Sequence, residues 1–300
     1  MITKREKEIY IITLIGAIVN IFLVALKLIA GFAGHSHAMV ADAAHSLSDL
    51  VTDFIVLMFV KLSSRPSDGD HAYGHGKFET LATSIVGFIL LSVGLAIFLD
   101  GAKLVAAYFN GETLHEPKMI AFWVALISIF FKETLYWQTY IKGRAIESPV
   151  VMANAWHHRT DAFSSVAAAV GIGGAIFLGE KWRVLDPVMA VAVSLFIIYV
   201  AVKFIKSSID ELLEKSLPLE TQEEIITLIK TIDGVNDPHA LKTRKIGSNI
   251  AIEVHLRFPK DMSVEKAHDI ATEVENRLKE KYGSQTHVIT HIETLKTATL

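Results

Sequence analysis

Six long apolar runs fill the first two thirds of this 300-residue chain, and each is long enough to cross a lipid bilayer as a helix. They lie near residues 9–33, 38–62, 80–107, 118–141, 149–178 and 184–205. The last third is rich in charged residues and has the pattern of a small folded domain. We therefore predict an α-helical membrane protein with six transmembrane helices in residues 1–205 and a small α+β domain in residues 206–300.

Lysine and arginine concentrate on one side of the predicted helices. They precede the first helix, follow the sixth, and lie in the connections from the second to the third and from the fourth to the fifth: Lys4, Arg5, Lys7, Lys61, Arg65, Lys77, Lys142, Arg144, Lys203 and Lys206. Positively charged connections stay in the cytoplasm. We expect a multi-pass protein of the cell inner (plasma) membrane, with both termini and the C-terminal domain in the cytoplasm.

The composition excludes several kinds of site. The chain has no cysteine, so disulfides, thiol catalysis, iron–sulfur clusters and cysteine-based zinc fingers are ruled out. Its net charge is −3, which offers no basic field for nucleic acid. Any metal must be held by histidine and carboxylate, and the chain has 13 histidines. No sequence feature indicates an organic cofactor.

Two of the predicted membrane helices carry a histidine followed four residues later by an aspartate. His45 and Asp49 lie in the second helix, and His157 and Asp161 lie in the fifth. A spacing of four places each pair on one helix face, and ionisable residues within the membrane are usually functional. Both pairs lie near the expected midplane, where transporters bind their substrates. Two nitrogens and two oxygens suit tetrahedral Zn²⁺.

The sequence leaves the roles of other polar residues in these helices open. Asp42 and Asp53 lie one turn to either side of the first pair, and they either line the pathway, support the ligand histidine or are solvated in a cavity. Lys132 or Glu133 in the fourth helix is expected to form an internal ion pair.

A second histidine cluster lies between the second and third helices. Asp68, His71 and His75 are separated by glycines, which allow a short loop to turn back on itself. These three side chains can surround one metal ion, although a hydrated cytoplasmic turn would show the same residues.

The C-terminal region shows the order αββαβ. Helices are predicted over residues 220–232 and 263–281, with Ser263 as an N-cap and Gly283 as a stop. Strands are predicted over residues 240–245, 249–258 and 286–295. The region carries five histidines, namely His239, His255, His268, His287 and His291. Spacing by itself does not show whether they converge.

Three sequence stretches, taken together, resemble the cation diffusion facilitator family of zinc and other divalent-metal transporters. They are Ala-Asp-Ala-Ala-His-Ser-Leu-Ser-Asp at 41–49, His-Ala-Tyr-Gly-His-Gly-Lys at 71–77 and His-His-Arg-Thr-Asp at 157–161. The resemblance covers nearly the whole chain. It implies a homodimer joined through cytoplasmic domains of a ferredoxin-like, metallochaperone-like fold, and metal–proton antiport by alternating access.

The resemblance also implies functional residues at matching positions. It assigns the transport site to His45, Asp49, His157 and Asp161, and a loop site to Asp68, His71 and His75. It assigns a C-terminal-domain site to His239, His255, His268, His291 and Glu293. Glu293 replaces the aspartate of bacterial relatives, and its longer arm alters the reach to a bridging metal. Lys77 and Glu214 match the charge pair that the family has at the junction of its membrane and cytoplasmic parts. His158 and His287 match no assigned position.

The function predicted is export of Zn²⁺ from the cytoplasm in exchange for protons, with Zn²⁺ both transported and regulatory. Export of Fe²⁺, Co²⁺ or Cd²⁺ is the alternative within the family, because ligand sets select metals imperfectly. A membrane sensor or scaffold that binds metal without moving it is a further alternative. An enzyme is not expected, since a catalytic zinc has three protein ligands with an open position and a general base, and no HExxH motif occurs.

Overall fold

The computed structural model describes residues 4–63, 65–145, 149–247 and 249–295, apart from some side chains near the ends of the first, second and fifth helices. The chain forms two compact units, residues 1–55 with 86–203 and residues 56–85 with 204–300. The predicted boundary between a membrane domain and a C-terminal domain, at residues 205 and 206, stays a prediction.

Six long helices follow one another through the first two thirds of the chain. They are α1 Lys4–Ala33, α2 His37–Ser63, α3 Lys77–Phe109, α4 Met119–Ala145, α5 Pro149–Phe177 and α6 Leu185–Leu212, with a short 3-10 turn at Glu180–Trp182. Among the described residues, five helical segments are long and apolar enough to cross a membrane: Leu14–Ala33, Lys77–Phe109, Met119–Ala145, Asn154–Phe177 and Glu180–Leu212. Helix α2 is continuous over 27 residues and carries the charged residues Asp42 and Asp49. The predicted helical membrane region is confirmed.

Small residues allow the helices of the first unit to pack closely. Its main apolar cluster joins α1, α2, α4 and α5 through six alanines with Met39, Val124 and Ile172. At Gly171, an added Cβ would lie 2.8 Å from the Met189 side chain of α6. Close backbone approach between helices is typical of membrane bundles, and it brings polar groups on neighbouring helices within bonding distance.

The start of α2 is held by side chains from two parts of the chain. The Ser36 hydroxyl accepts a hydrogen bond from the Met39 backbone N–H at 3.1 Å, as an N-cap does. Ser36 also donates to the buried Asp186 of α6 at 2.6 Å, and the His37 backbone N–H donates to the same carboxylate at 2.7 Å. This clamp sets the position of the helix that carries His45 and Asp49.

The C-terminal part of the second unit has the predicted αββαβ order. Its elements are α7 Leu219–Lys230, β1 Asn236–Ile246, β2 Asn249–Phe258, α8 Val264–Tyr282 and β3 His287–Thr294. The described strands form a sheet in the order β1-β2-β3, antiparallel between β1 and β2 and parallel between β2 and β3. The predicted cap is confirmed, because Ser263 accepts a hydrogen bond from the Lys266 N–H at 3.2 Å and Gly283 ends α8.

The core of this region lies between the sheet and the two helices. Apolar side chains of α7 and α8 pack against one face of β2, and the central members are fully buried: Ile225, Ile229, Ile252, Leu256, Val274 and Leu278. The alternation of β2 places Val254 and Leu256 in this core and His255 on the opposite face. The fold therefore leaves one sheet face for polar side chains.

Candidate metal sites

The first site lies within α2 and α5, where the four-residue spacing places each histidine beside its aspartate. His45 Nε2 lies 4.0 Å from Asp49 Oδ2, and His157 Nδ1 lies 3.7 Å from Asp161 Oδ1. Packing of the helices then brings His45, Asp49 and Asp161 together, with one candidate ligand atom from each within 4.8 Å of the others. His45 and Asp161 are buried, which is costly for a polar group without a partner.

His157 stands apart from this group of three. Its side chain is 49% exposed, and its Nδ1 contacts the Asp161 carboxylate at 3.7 Å. The structure thus assembles one nitrogen and two carboxylates, and His157, the predicted fourth ligand, lies outside this group.

Two buried lysines form ion pairs with aspartates of α2 and α5. Lys132 of α4 lies 2.7 Å from Asp161 Oδ2 and donates a hydrogen bond to Asn20 Oδ1 at 2.9 Å. The predicted internal ion pair of the fourth helix therefore forms with the aspartate of the metal motif. The sequence indicated Lys132 or Glu133 but contained no signal for the partner, because Lys132 and Asp161 are far apart in the chain.

The second buried lysine pairs with Asp42. Lys27 Nζ lies 2.8 Å from Asp42 Oδ2, and both side chains are completely buried. Ser164 and Ser165 of α5 donate hydrogen bonds to the same carboxylate. Asp42 therefore joins α1, α2 and α5 through contacts that the sequence did not predict. The side chain of Asp53 lies outside the described part of the chain.

The loop between α2 and α3 forms the second candidate site. Asp68 lies 3.5 Å from His71 Nδ1 and 3.4 Å from His75 Nε2. The His71 backbone N–H donates to Asp68 Oδ1 at 2.8 Å, and this hydrogen bond lowers the pKa of the Asp68 carboxyl. Nδ1 of the buried His75 lies 3.2 Å from the Pro66 carbonyl oxygen. If Nδ1 is the protonated nitrogen there, the Nε2 lone pair faces Asp68, as a metal ligand requires.

The third candidate site lies on the polar face of the sheet. The register places His239 opposite His255 and His255 opposite His291, so the three histidines form a row across the strands. Glu293 lies 2.8 Å from His255 Nδ1 and 3.3 Å from His239 Nε2, and the hydrogen bond with His255 lowers the pKa of the Glu293 carboxyl.

The other predicted members of this third site lie further out. His291 Nε2 lies 3.9 Å from Glu293, whereas His268 lies exposed on α8 outside the group of His239, His255 and Glu293. Strand register, which sequence spacing does not specify, creates the row of histidines.

The predicted charge pair is in contact in the second unit. Lys77 Nζ lies 3.1 Å from Glu214 Oε1, and this hydrogen bond lowers the pKa of Glu214. Glu214 also lies 3.6 Å from Arg244. The two unassigned histidines differ, since His158 is buried in α5 and His287 packs its ring against Tyr73 with centroids 5.4 Å apart.

Comparison with known proteins identifies the class of protein that carries this histidine–carboxylate cluster. The family model described as the cation efflux transmembrane domain matches residues 13–213. The model described as the cytoplasmic domain of cation efflux proteins matches residues 217–295.

Two relatives that align over most of this chain agree with this assignment. The chain is 32% identical over 296 residues to the manganese efflux system protein MneP of Bacillus subtilis, covering 97% of this chain and 98% of that protein. It is 35% identical over 291 residues to metal tolerance protein C1 of Arabidopsis thaliana, covering 93% of this chain and 61% of that longer protein. A solved metal-bound C-terminal domain of the CzcD transporter from Thermotoga maritima is 23% identical, with a TM-score of 0.25, and covers 27% of this chain and 93% of that domain.

The chain belongs to the cation diffusion facilitator family. It is a multi-pass membrane transporter for the efflux of divalent metal cations.

Proposed function

We propose that the protein exports Zn²⁺ from the cytoplasm in exchange for protons, by alternating access at a site formed by His45, Asp49, His157 and Asp161. The observation that carries the proposal is the approach of His45, Asp49 and Asp161 to within 4.8 Å of one another inside the membrane-length bundle. Metal binding requires an unprotonated histidine nitrogen and ionised carboxylates. Protons and cargo therefore compete for the same atoms, which is the chemical basis for exchange.

The position of His157 decides which metal the site prefers. With His157 turned inward, the site offers two nitrogens and two oxygens, a set that suits Zn²⁺. Without it, the site is richer in oxygen, which suits Mn²⁺. Manganese is the second candidate cargo, supported by the relative MneP, a manganese efflux system protein. Replacing His157 with alanine should shift the transport preference from Zn²⁺ toward Mn²⁺.

The two clusters of the second unit are assigned regulatory roles. Asp68, His71 and His75 form a proposed loop site, and the row of histidines with Glu293 forms a proposed site in the cytoplasmic domain. Zn²⁺ bound there would stabilise a homodimer of the chain. The Lys77–Glu214 ion pair, 3.1 Å long, would couple the loop to the end of α6. We place the protein in the inner membrane with both termini in the cytoplasm.

Flux of metal into proteoliposomes tests this proposal. Purified protein is reconstituted with an internal metal-sensitive dye, a pH gradient is imposed, and Zn²⁺, Mn²⁺, Fe²⁺, Co²⁺ and Cd²⁺ are added separately. We expect gradient-dependent Zn²⁺ uptake that Asp49→Ala abolishes. Asp100→Ala is the matched control, because Asp100 is an exposed aspartate of a membrane-length helix outside the cluster. Binding of Zn²⁺ by folded protein without flux of any metal would favour a sensor or scaffold instead.

A further inference from the structure

Lys132 is the residue whose position the proposed transport reaction does not explain. Its ammonium group lies 2.7 Å from Asp161 Oδ2, and the side chains of both residues are 3% exposed. Asp161 is also one of the three groups that converge on the candidate transport site. A positive charge is thus held against a carboxylate that has to bind a positive ion.

Counting the buried charges shows what Lys132 does for the site. Lys27 and Asp42 neutralise each other, as do Lys132 and Asp161, and Asp49 is the second carboxylate of the ligand group. Without Lys132, two carboxylates would face each other in the bundle. Bare charges in a membrane are costly, and Lys132 supplies part of the positive charge that the cargo would bring.

Metal and ammonium would be close neighbours on this carboxylate. A carboxylate oxygen binds Zn²⁺ at about 2.0–2.2 Å. The ammonium lies 2.7 Å from Asp161 Oδ2, so two cations sharing that oxygen would be separated by no more than about 5 Å. Water scarcely reaches these buried groups, and their repulsion is poorly screened.

A second partner gives the ammonium somewhere else to go. Lys132 Nζ donates a hydrogen bond to Asn20 Oδ1 of α1 at 2.9 Å. A lysine side chain is flexible and has three donors. It can keep the contact with Asn20 while leaving Asp161, without any movement of the helices.

We propose that Lys132 is a tethered counter-cation that occupies Asp161 in the empty carrier and moves toward Asn20 when the metal binds. It is an affinity-determining residue of the transport site, and this inference rests on the proposed function. Its presence weakens metal binding and neutralises the empty site. Both effects favour release of the cargo and return of the empty carrier.

Transport kinetics in proteoliposomes test the proposal, since KM and kcat report the two effects separately. Lys132→Gln keeps hydrogen-bonding capacity but removes the charge, and we expect its KM for Zn²⁺ to fall by about tenfold while kcat also falls. Lys132→Arg keeps the charge, and we expect a KM within about threefold of the parent. Asn20→Leu keeps the lysine but removes its second partner, and we expect KM to rise.

The opposite signs of the Lys132→Gln and Asn20→Leu effects separate competition from a structural role. A rise of KM in both variants would show that Lys132 orients Asp161 for the metal, and this result would overturn the proposal. A fall of KM in Lys132→Arg equal to that in Lys132→Gln would also overturn it. If Lys132→Gln does not fold, Lys132→Met removes the same charge and replaces it in the test: a fall of KM is expected, and a rise of KM would overturn the proposal.

Two further variants complete the design. Lys27→Gln removes the other buried lysine, whose partner Asp42 lies outside the ligand group, and we expect no fall of KM. Asp161→Asn tests the proposed function separately, because unchanged Zn²⁺ transport in that variant would remove Asp161 from the site. Loss of transport in Asp161→Asn with an unchanged KM in Lys132→Gln would overturn the counter-cation alone.

Discussion

Asp42 and Asp49 lie two turns apart on α2, yet the structure gives their carboxylates different surroundings. Asp42 is completely buried and paired with Lys27, whereas the side chain of Asp49 is 28% exposed and belongs to the ligand group. The sequence paired Asp49 with His45 but left several roles open for Asp42, because it contains no signal for the partner on α1. Lys27 on α1 gives Asp42 a structural partner, and Asp49 is the carboxylate that we propose binds the cargo.

This difference predicts that removing the Asp42 carboxylate lowers the stability of the protein, whereas removing the Asp49 carboxylate mainly lowers transport. Asp42→Ala leaves the Lys27 ammonium buried without its partner, and breaking such a pair costs about 3–5 kcal/mol. Asp49→Ala should cost less than about 1 kcal/mol while abolishing transport. Thermal unfolding in detergent measures the first effect. The double variant Lys27→Met/Asp42→Leu should recover much of the lost stability, and failure to recover would show that the pair is not the cause.

The contact between Lys77 and Glu214 should make the stability of the second unit depend on pH in the acid range. Its hydrogen bond from Lys77 lowers the pKa of the carboxyl. A lowered folded-state pKa means that the contribution is present above the unfolded-state value and is lost as pH falls through the folded-state value. Hydrogen exchange of segments containing residues 77 and 214, in metal-free protein, should therefore lose protection below about pH 4.5. Lys77→Gln should lose less protection on acidification, and equal losses would contradict the prediction.

At the level of elements, helix α8 depends on its cap as well as on its packing. The Ser263 hydroxyl accepts a hydrogen bond from the Lys266 N–H at the start of the helix. Val274 and Leu278, further along α8, are fully buried. Ser263→Ala should destabilise the helix by about 1 kcal/mol, and Ser263→Gly by only a few tenths. Exchange of α8 amides followed by mass spectrometry measures this directly. Equal effects of the two variants would show that the hydroxyl bond contributes little.

The sheet shows where local patterns stop being informative. Alternation along β2 predicted the strand at its observed bounds, Asn249–Phe258. The row of His239, His255 and His291 depends on pairing between β1, β2 and β3, and β1 carries irregular register on both sides of His239. Bulges of this kind change which side chain faces which neighbour, so the row was not predictable from spacing.

At the scale of the whole molecule, the distribution of charge predicts the topology. The chain has no native cysteine, so single cysteines can be introduced without a background. In intact cells, an impermeant maleimide should label Glu112→Cys, in the connection between α3 and α4, and should not label Ser67→Cys or Ser284→Cys. Permeabilised cells should show labelling at all three exposed positions. Labelling of Ser67→Cys in intact cells would contradict cytoplasmic termini.

The sequence by itself determined the membrane helices, the αββαβ order and the metal-binding residue types, because apolar length, alternation, caps and four-residue spacings are local properties. Only the tertiary structure decided which charges meet. It paired Lys132 with Asp161 and Lys27 with Asp42, left His157 half exposed, and separated His268 from the histidine row. These outcomes depend on contacts between residues that are distant in the chain. A buried charge without a partner is costly, so each one pairs with an opposite charge that helix packing brings near.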